Sequence, residues 1–190
     1  MEGGNKVETR SAALRRILNE PGCTMQAKVG VAHHAQLAQH VGFKFVGISS
    51  SAVSSWIYGM PDAGYLTQTE LVENTRRICN AVKVPVLVDA DTGHGNALGV
   101  RRTVQLLIQA GAAGCFIEDQ KSPKRCGFVK GKQLVSLEEA VGKYRAACDA
   151  RNELDPDFVI FARTDARGAV GGSFDEAVKR EMHIRALASM

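Results

Sequence analysis

Two rhythms of apolar and polar residues take turns along the chain. Short, near-continuous runs of branched and aromatic residues alternate with segments whose apolar positions recur every three or four residues. The first rhythm suits a buried strand and the second an amphipathic helix. QAKVGVA (26–32), FKFVGISSS (43–51), VPVLVDADTGHG (84–95), AAGCFIEDQ (112–120) and DFVIFARTDA (157–166) read as strands with the loops that follow them. HHAQLAQHVG (33–42) reads as a short helix closed by Gly42, and ALGVRRTVQLLIQAG (97–111) as one closed by Gly111. TQTELVENTRRICNAV (67–82) opens with a capping box, Thr67 to Glu70. Two more helices are expected, at 136–152 and from Phe174 onward. The serines 49–51 read as a loop, and KSPKRCGFVKGKQLV (121–135) as a longer one.

Five strand–helix units in succession imply an α/β fold, a parallel sheet with helices on its faces. A barrel and an open doubly wound sheet fit equally well at this point, and both place chemistry at the carboxyl ends of the strands. Length adds one constraint: 190 residues, with no linker or low-complexity segment, suffice for a single domain, 1–190. The composition, 45% hydrophobic and 23% charged, is that of an ordinary globular chain. A net charge of +4 with scattered basic residues argues against a nucleic-acid partner, and no apolar run reaches the length of a membrane span. The first twenty residues have no apolar signal core, which argues against secretion or organelle import. The five cysteines are irregularly spaced, which suggests reduced thiols and a cytoplasmic protein.

Charge becomes informative at the strand ends. Asp89 and Asp91 close the third strand, Glu118 and Asp119 the fourth, and Arg163 and Asp165 the fifth. Ser49, Ser50 and Ser51 end the second, with Asp62 a short loop later. In a parallel α/β fold these ends share one rim, so several carboxylates converge. Like charges held that close need a cation between them. All-oxygen ligands favour Mg2+, with Mn2+ next; His94 beside the aspartates raises a zinc alternative. Each acid taken alone is more often a turn or helix cap than a ligand. In the 121–135 loop Lys124 and Arg125 flank Cys126, and neighbouring cations favour a reactive thiol. A glycine-rich basic loop after a strand can also serve as a lid.

At these residues the chain resembles the isocitrate lyase and phosphoenolpyruvate mutase superfamily. GMPDAG, VDADTGHG, AGAAGCFIEDQ, KRCG and FARTDA have counterparts there in the same order, across roughly residues 10 to 180. The resemblance implies a (β/α)8 barrel, Mg2+-dependent chemistry on small α-oxo or α-hydroxy carboxylates, and a homo-oligomer, usually a tetramer. It implies that Asp89, Asp91 and Glu118 bind the metal, largely through waters, with Asp62 assisting. It places Ser49, Ser50 and Ser51 where a substrate carboxylate is bound by backbone N–H groups, and Arg163 where one is paired. Cys126 matches the catalytic cysteine of the carbon–carbon lyase branch, and Lys124 and Arg125 beside it are expected to be catalytic with it. That branch cleaves isocitrate-type 2-hydroxy acids; the alternatives are a mutase, hydrolase or decarboxylase of the same superfamily.

Three departures qualify the resemblance. Phe128 stands where the lyases carry histidine, and Gly47 where many carry tyrosine. The tail EMHIRALASM leaves the family pattern, and a complete barrel takes about 250 residues. The expectation is therefore a partial barrel of about five units, truncated, marginally stable and weakly active or inactive by itself.

Overall fold

The computed structural model describes residues 8–187. Among them, five strands form one parallel sheet: β1 (Ala27–Val29), β2 (Val46–Ile48), β3 (Val86–Asp89), β4 (Gly114–Glu118) and β5 (Val159–Arg163). Their spatial order is β1-β2-β3-β4-β5. A doubly wound sheet reverses direction at a switch point. This one does not, so the order decides in favour of a barrel segment.

Among the described residues seven α-helices accompany the sheet: α1 (Arg10–Asn19), α2 (Ala32–His40), α3 (Ser50–Tyr58), α4 (Gln68–Ala81), α5 (Ala97–Gln109), α6 (Leu137–Leu154) and α7 (Phe174–Leu187). The expected capping box of α4 is present: Thr67 accepts from the Glu70 N–H while the Glu70 carboxylate accepts from the Thr67 N–H. Two helices differ from the sequence reading. The serine run begins α3, because Ser49 caps it, Val53 and Ser54 are buried beneath it, and Gly59 ends it in a left-handed turn at φ 63°. Serine favours caps and turns over helix interiors, which is why the run looked like a loop. The helix α1 was not anticipated either. Its Leu14 and Ile17 pack with Phe45, Leu87, Ala113 and Val159 at the amino ends of the strands. Arg10 ties it to α4 by donating to the carbonyls of Cys79 and Val82.

Strand alternation sorts the side chains onto two faces. Val29, Val46, Ile48, Val86, Val88, Cys115 and Ile117 join the main core beneath the helices. The inward face carries Lys28, Gly47, Leu87, Asp89, Phe116, Glu118, Phe161 and Arg163, in the register Lys28–Gly47–Leu87 and Asp89–Phe116–Phe161. The outer face is apolar and closed. The inner face becomes polar towards the carboxyl ends of the strands, and that gradient positions the site.

Candidate active site at the carboxyl ends of the strands

Asp89, Glu118 and Arg163 are the last residues of their strands, and Ser49 caps the helix that leaves β2. A cavity of about 370 Å³ lies among them. It is lined by Ser49, Ser51, Asp62, Asp89, Lys124, Cys126, Gly127, Phe128 and Arg163. The first turn of α3 opens towards this group. N–H donors of a first helical turn have no partner within the helix, and they suit an anion.

The acids are wired to one another and to two cations. The Ser50 hydroxyl lies 2.7 Å from Asp91 Oδ1 and 3.1 Å from Asp89 Oδ2. The Asp91 N–H donates to Asp89 Oδ1 at 3.2 Å, from a left-handed backbone at φ 50°. The Lys124 ammonium, almost fully buried, pairs with Asp91 at 2.7 Å and with Asp62. Burial by itself would lower the Lys124 pKa, but Asp91 and Asp62 outweigh it and hold the ammonium above its ordinary value. Arg163 places Nη1 3.3 Å from Glu118 and Nη2 2.9 Å from Asp165. Gly127 lets the loop approach this guanidinium: a Cβ there would lie 2.2 Å from Arg163 Nη2.

Two carboxylates remain under-compensated. Burial, with Asp91 adding to it, pushes Asp89 up to about 6, and Asp89 is in none of the ion pairs among the described residues. Burial pushes Glu118 up to about 8 despite Lys124 and Arg163. A divalent cation beside Asp89 and Glu118 would relieve both, so this donor set fits Mg2+ or Mn2+. Among the described residues no three His, Cys, Asp or Glu side chains close tightly enough to surround an ion directly. That geometry suits ligation partly through water, and it gives His94 no zinc cluster to join. His94 instead sits at φ 57° with its Nε2 buried and unpartnered.

Other sequence candidates fall elsewhere. The Arg125 guanidinium lies against Gly131 in its own loop, and Arg125 does not line the Asp89 cavity. Asp119 is structural: it accepts from the Thr164 hydroxyl at 2.7 Å, the Asp165 N–H at 3.0 Å and Arg180 at 3.1 Å. Phe128 stays with the site: it lines the cavity beside Cys126 and Gly127 while remaining fully exposed. Sequence reasoning missed Gln120. The nitrogen of this buried amide lies within hydrogen-bond distance of Glu118 (3.1 Å), the Arg125 carbonyl (2.9 Å) and Asp165 (2.8 Å), which share its two hydrogens, while its oxygen accepts from the Arg125 N–H. It joins the metal-side carboxylate, the cysteine loop and the arginine's partner. Its only sequence signal was its place directly after the two acids that close β4.

This arrangement matches a known family. The model of the phosphoenolpyruvate phosphomutase family covers residues 15–186. The chain belongs to the phosphoenolpyruvate mutase/isocitrate lyase superfamily. It is 46% identical over 177 residues to an oxaloacetate decarboxylase of Rhodopseudomonas palustris (strain ATCC BAA-98 / CGA009), covering 93% of this chain and 60% of that one. It is 45% identical over 161 residues to the 2-methylisocitrate lyase of Escherichia coli (strain K12), covering 84% of this chain and 53% of that one. Its fold superposes with TM-score 0.84 and 34% identity on a phosphonopyruvate hydrolase crystallised with oxalate and Mg2+, covering 94% of this chain and 60% of that one. The chain thus spans between half and three fifths of the length of these superfamily relatives. The five strands correspond to part of a TIM barrel.

Proposed function

We propose that this chain carries the metal- and cysteine-bearing half of a Mg2+-dependent carbon–carbon lyase. Its substrate would be a 2-hydroxy di- or tricarboxylate of the isocitrate or 2-methylisocitrate type. Retro-aldol cleavage would release an α-keto acid and a succinate-like acid. The observation that carries this reading is the position of Cys126, which lines the same small cavity as Asp89, Arg163 and the first turn of α3. Asp89 and Glu118 would hold the metal on the inward side, with Asp91 and Asp62 kept in place by Lys124. When bound, the metal supplies Lewis-acid polarisation of the hydroxyl and carboxylate. Arg163 suits bidentate pairing with a substrate carboxylate, and the first-turn N–H groups of α3 suit a second anionic contact. As the carbon–carbon bond opens, the Cys126 thiol would deliver its proton to the carbanion carbon of the departing fragment.

The test is cleavage of isocitrate and 2-methylisocitrate, measured with this chain and with a version extended by the C-terminal part of the lyase relative. Cys126→Ser should abolish keto-acid release while leaving oxalate binding in the presence of Mg2+ intact. Turnover that survives the substitution would overturn the lyase reading. A second reading, decarboxylation of oxaloacetate, is favoured by the exposed Phe128, which leaves no imidazole beside the thiol. Oxaloacetate turnover without isocitrate cleavage would select it. Homo-oligomeric assembly belongs to the same proposal; the exposed Trp56, Ile57 and Tyr58 on α3 offer an apolar association surface. The proposed location is cytoplasmic; no helix of the described residues is long and apolar enough to cross a membrane.

A further inference from the structure

Two donors on and just before β1 face the sheet's inner side without an acceptor among the described residues: the solvent-exposed Lys28 and the part-buried Gln26. Lys28 is the middle residue of β1, and Gln26 lies two positions earlier on the same face. The Gln26 carboxamide lies across Gly47, where a Cβ would stand 2.5 Å from its Cδ and Nε2. Glycine at 47 is therefore what admits this side chain to the interior. Gln26 Nε2 is buried with no hydrogen-bond partner. Lys28 Nζ lies 4.7 Å from the centroid of the Phe116 ring and takes part in none of the ion pairs among the described residues. Phe116 is the register partner of Asp89, so an ammonium over its ring stands on the inner face of the sheet, on the same side as Asp89.

An ammonium and an amide N–H both donate, and one group that answers both is an anionic acceptor. We propose that Gln26 and Lys28 form a subsite for a second substrate carboxylate, the one distal to the metal. This rests on the lyase reading above and sharpens it: the site would prefer di- and tricarboxylates to acids as short as oxalate. The Phe116 face holds the ammonium without neutralising it, which leaves its charge available to the ligand.

The test is calorimetric titration of this chain with isocitrate and with oxalate, Mg2+ present. Lys28→Met keeps the stem and removes the charge. It should weaken isocitrate by about tenfold or more while leaving oxalate within about twofold. Lys28→Arg should retain the isocitrate affinity. Equal losses for both acids, or no loss for isocitrate, would overturn the subsite and leave the metal site standing. Failure of the unsubstituted chain to bind oxalate would instead remove the lyase reading beneath it. A metal-free arm tests the subsite alone: succinate should slow acetylation of Lys28 by acetic anhydride, read by mass spectrometry. No protection there overturns the proposal whatever the metal does.

Discussion

Val88, Cys115 and Ile117 are sealed under the helices, while Asp89, Phe116 and Glu118, one residue further along the same strands, face the barrel interior. Backbone, register and neighbours are shared; only the direction of the side chain differs. The outer row needs nothing beyond van der Waals packing and loss of water. The inner row keeps charges that its own side chains satisfy only in part. Glu118 and Asp119 make the contrast within two residues. Both are almost fully buried. Asp119 has three donors and closes β4, β5 and α7 together, whereas Glu118 has one amide and one guanidinium at 3.3 Å and is pushed up to about 8. A buried acid whose valences are filled holds the fold together. One left short is where a ligand can act.

The largest expected effect separates those two acids. Asp119→Ala leaves the buried Arg180 with Glu176 as its one carboxylate partner, takes the acceptor from the Thr164 hydroxyl and the Asp165 N–H, and should cost about 3 kcal/mol or more in urea unfolding. Glu118→Gln replaces a carboxyl that, pushed up to about 8, is largely protonated at neutral pH, and should change metal-free stability there by less than about 1 kcal/mol while weakening Mg2+ binding. Equal losses would erase the distinction between structural and functional acid.

Apolar residues on the two faces should differ next. Ile117 has no exposed surface, and Ile117→Ala should cost about 2–5 kcal/mol. Phe161 on the inner face is 41% exposed in this chain, and Phe161→Ala should cost less than about 1 kcal/mol, measured in the same way. A large loss at Phe161 would show that the interior is covered in solution, by a second copy for instance.

The same contrast appears as a dependence on pH. Glu118 and Asp89 have ordinary values of 4.5 and 3.8 and are pushed up to about 8 and about 6 in the fold. The folded chain therefore keeps protons that the unfolded chain has released. The stability this confers is complete below about pH 4 and is lost as pH rises through about 6 and then about 8. The thermal midpoint of the metal-free chain should fall across that window. Added Mg2+ should raise the midpoint more at about pH 8.5 than at about pH 5.5, because only the ionised acids hold it. A Mg2+ effect independent of pH would place the ion elsewhere.

Most elements were legible because their signals are local. Apolar runs marked all five strands, the capping box marked α4, and glycines marked the ends of α2 and α5. Placing Asp89, Glu118 and Arg163 at the strand ends required only that the strands be found. The misses came where local preference and tertiary packing disagree. Serines 49–51 favour a turn, but burial of Val53 and Ser54 continues the chain as α3. The helix α1 is amphipathic, yet its significance lies in covering the amino ends of strands distant in sequence.

Sequence by itself determined the alternation of strands and helices, the run of polar residues where strands end, and the family motifs, because each depends on neighbours a few residues apart. Tertiary structure alone decided that the strands follow one another without reversal, that Lys124 stands between Asp62 and Asp91, and that Arg125 lies against Gly131. It also decided that Asp119 is saturated while Asp89 and Glu118 are not. The charge and hydrogen-bonding capacity of a side chain are written in its residue type. Whether they are used up depends on which distant segments the fold brings within about 3 Å, the range over which hydrogen bonds and ion pairs act.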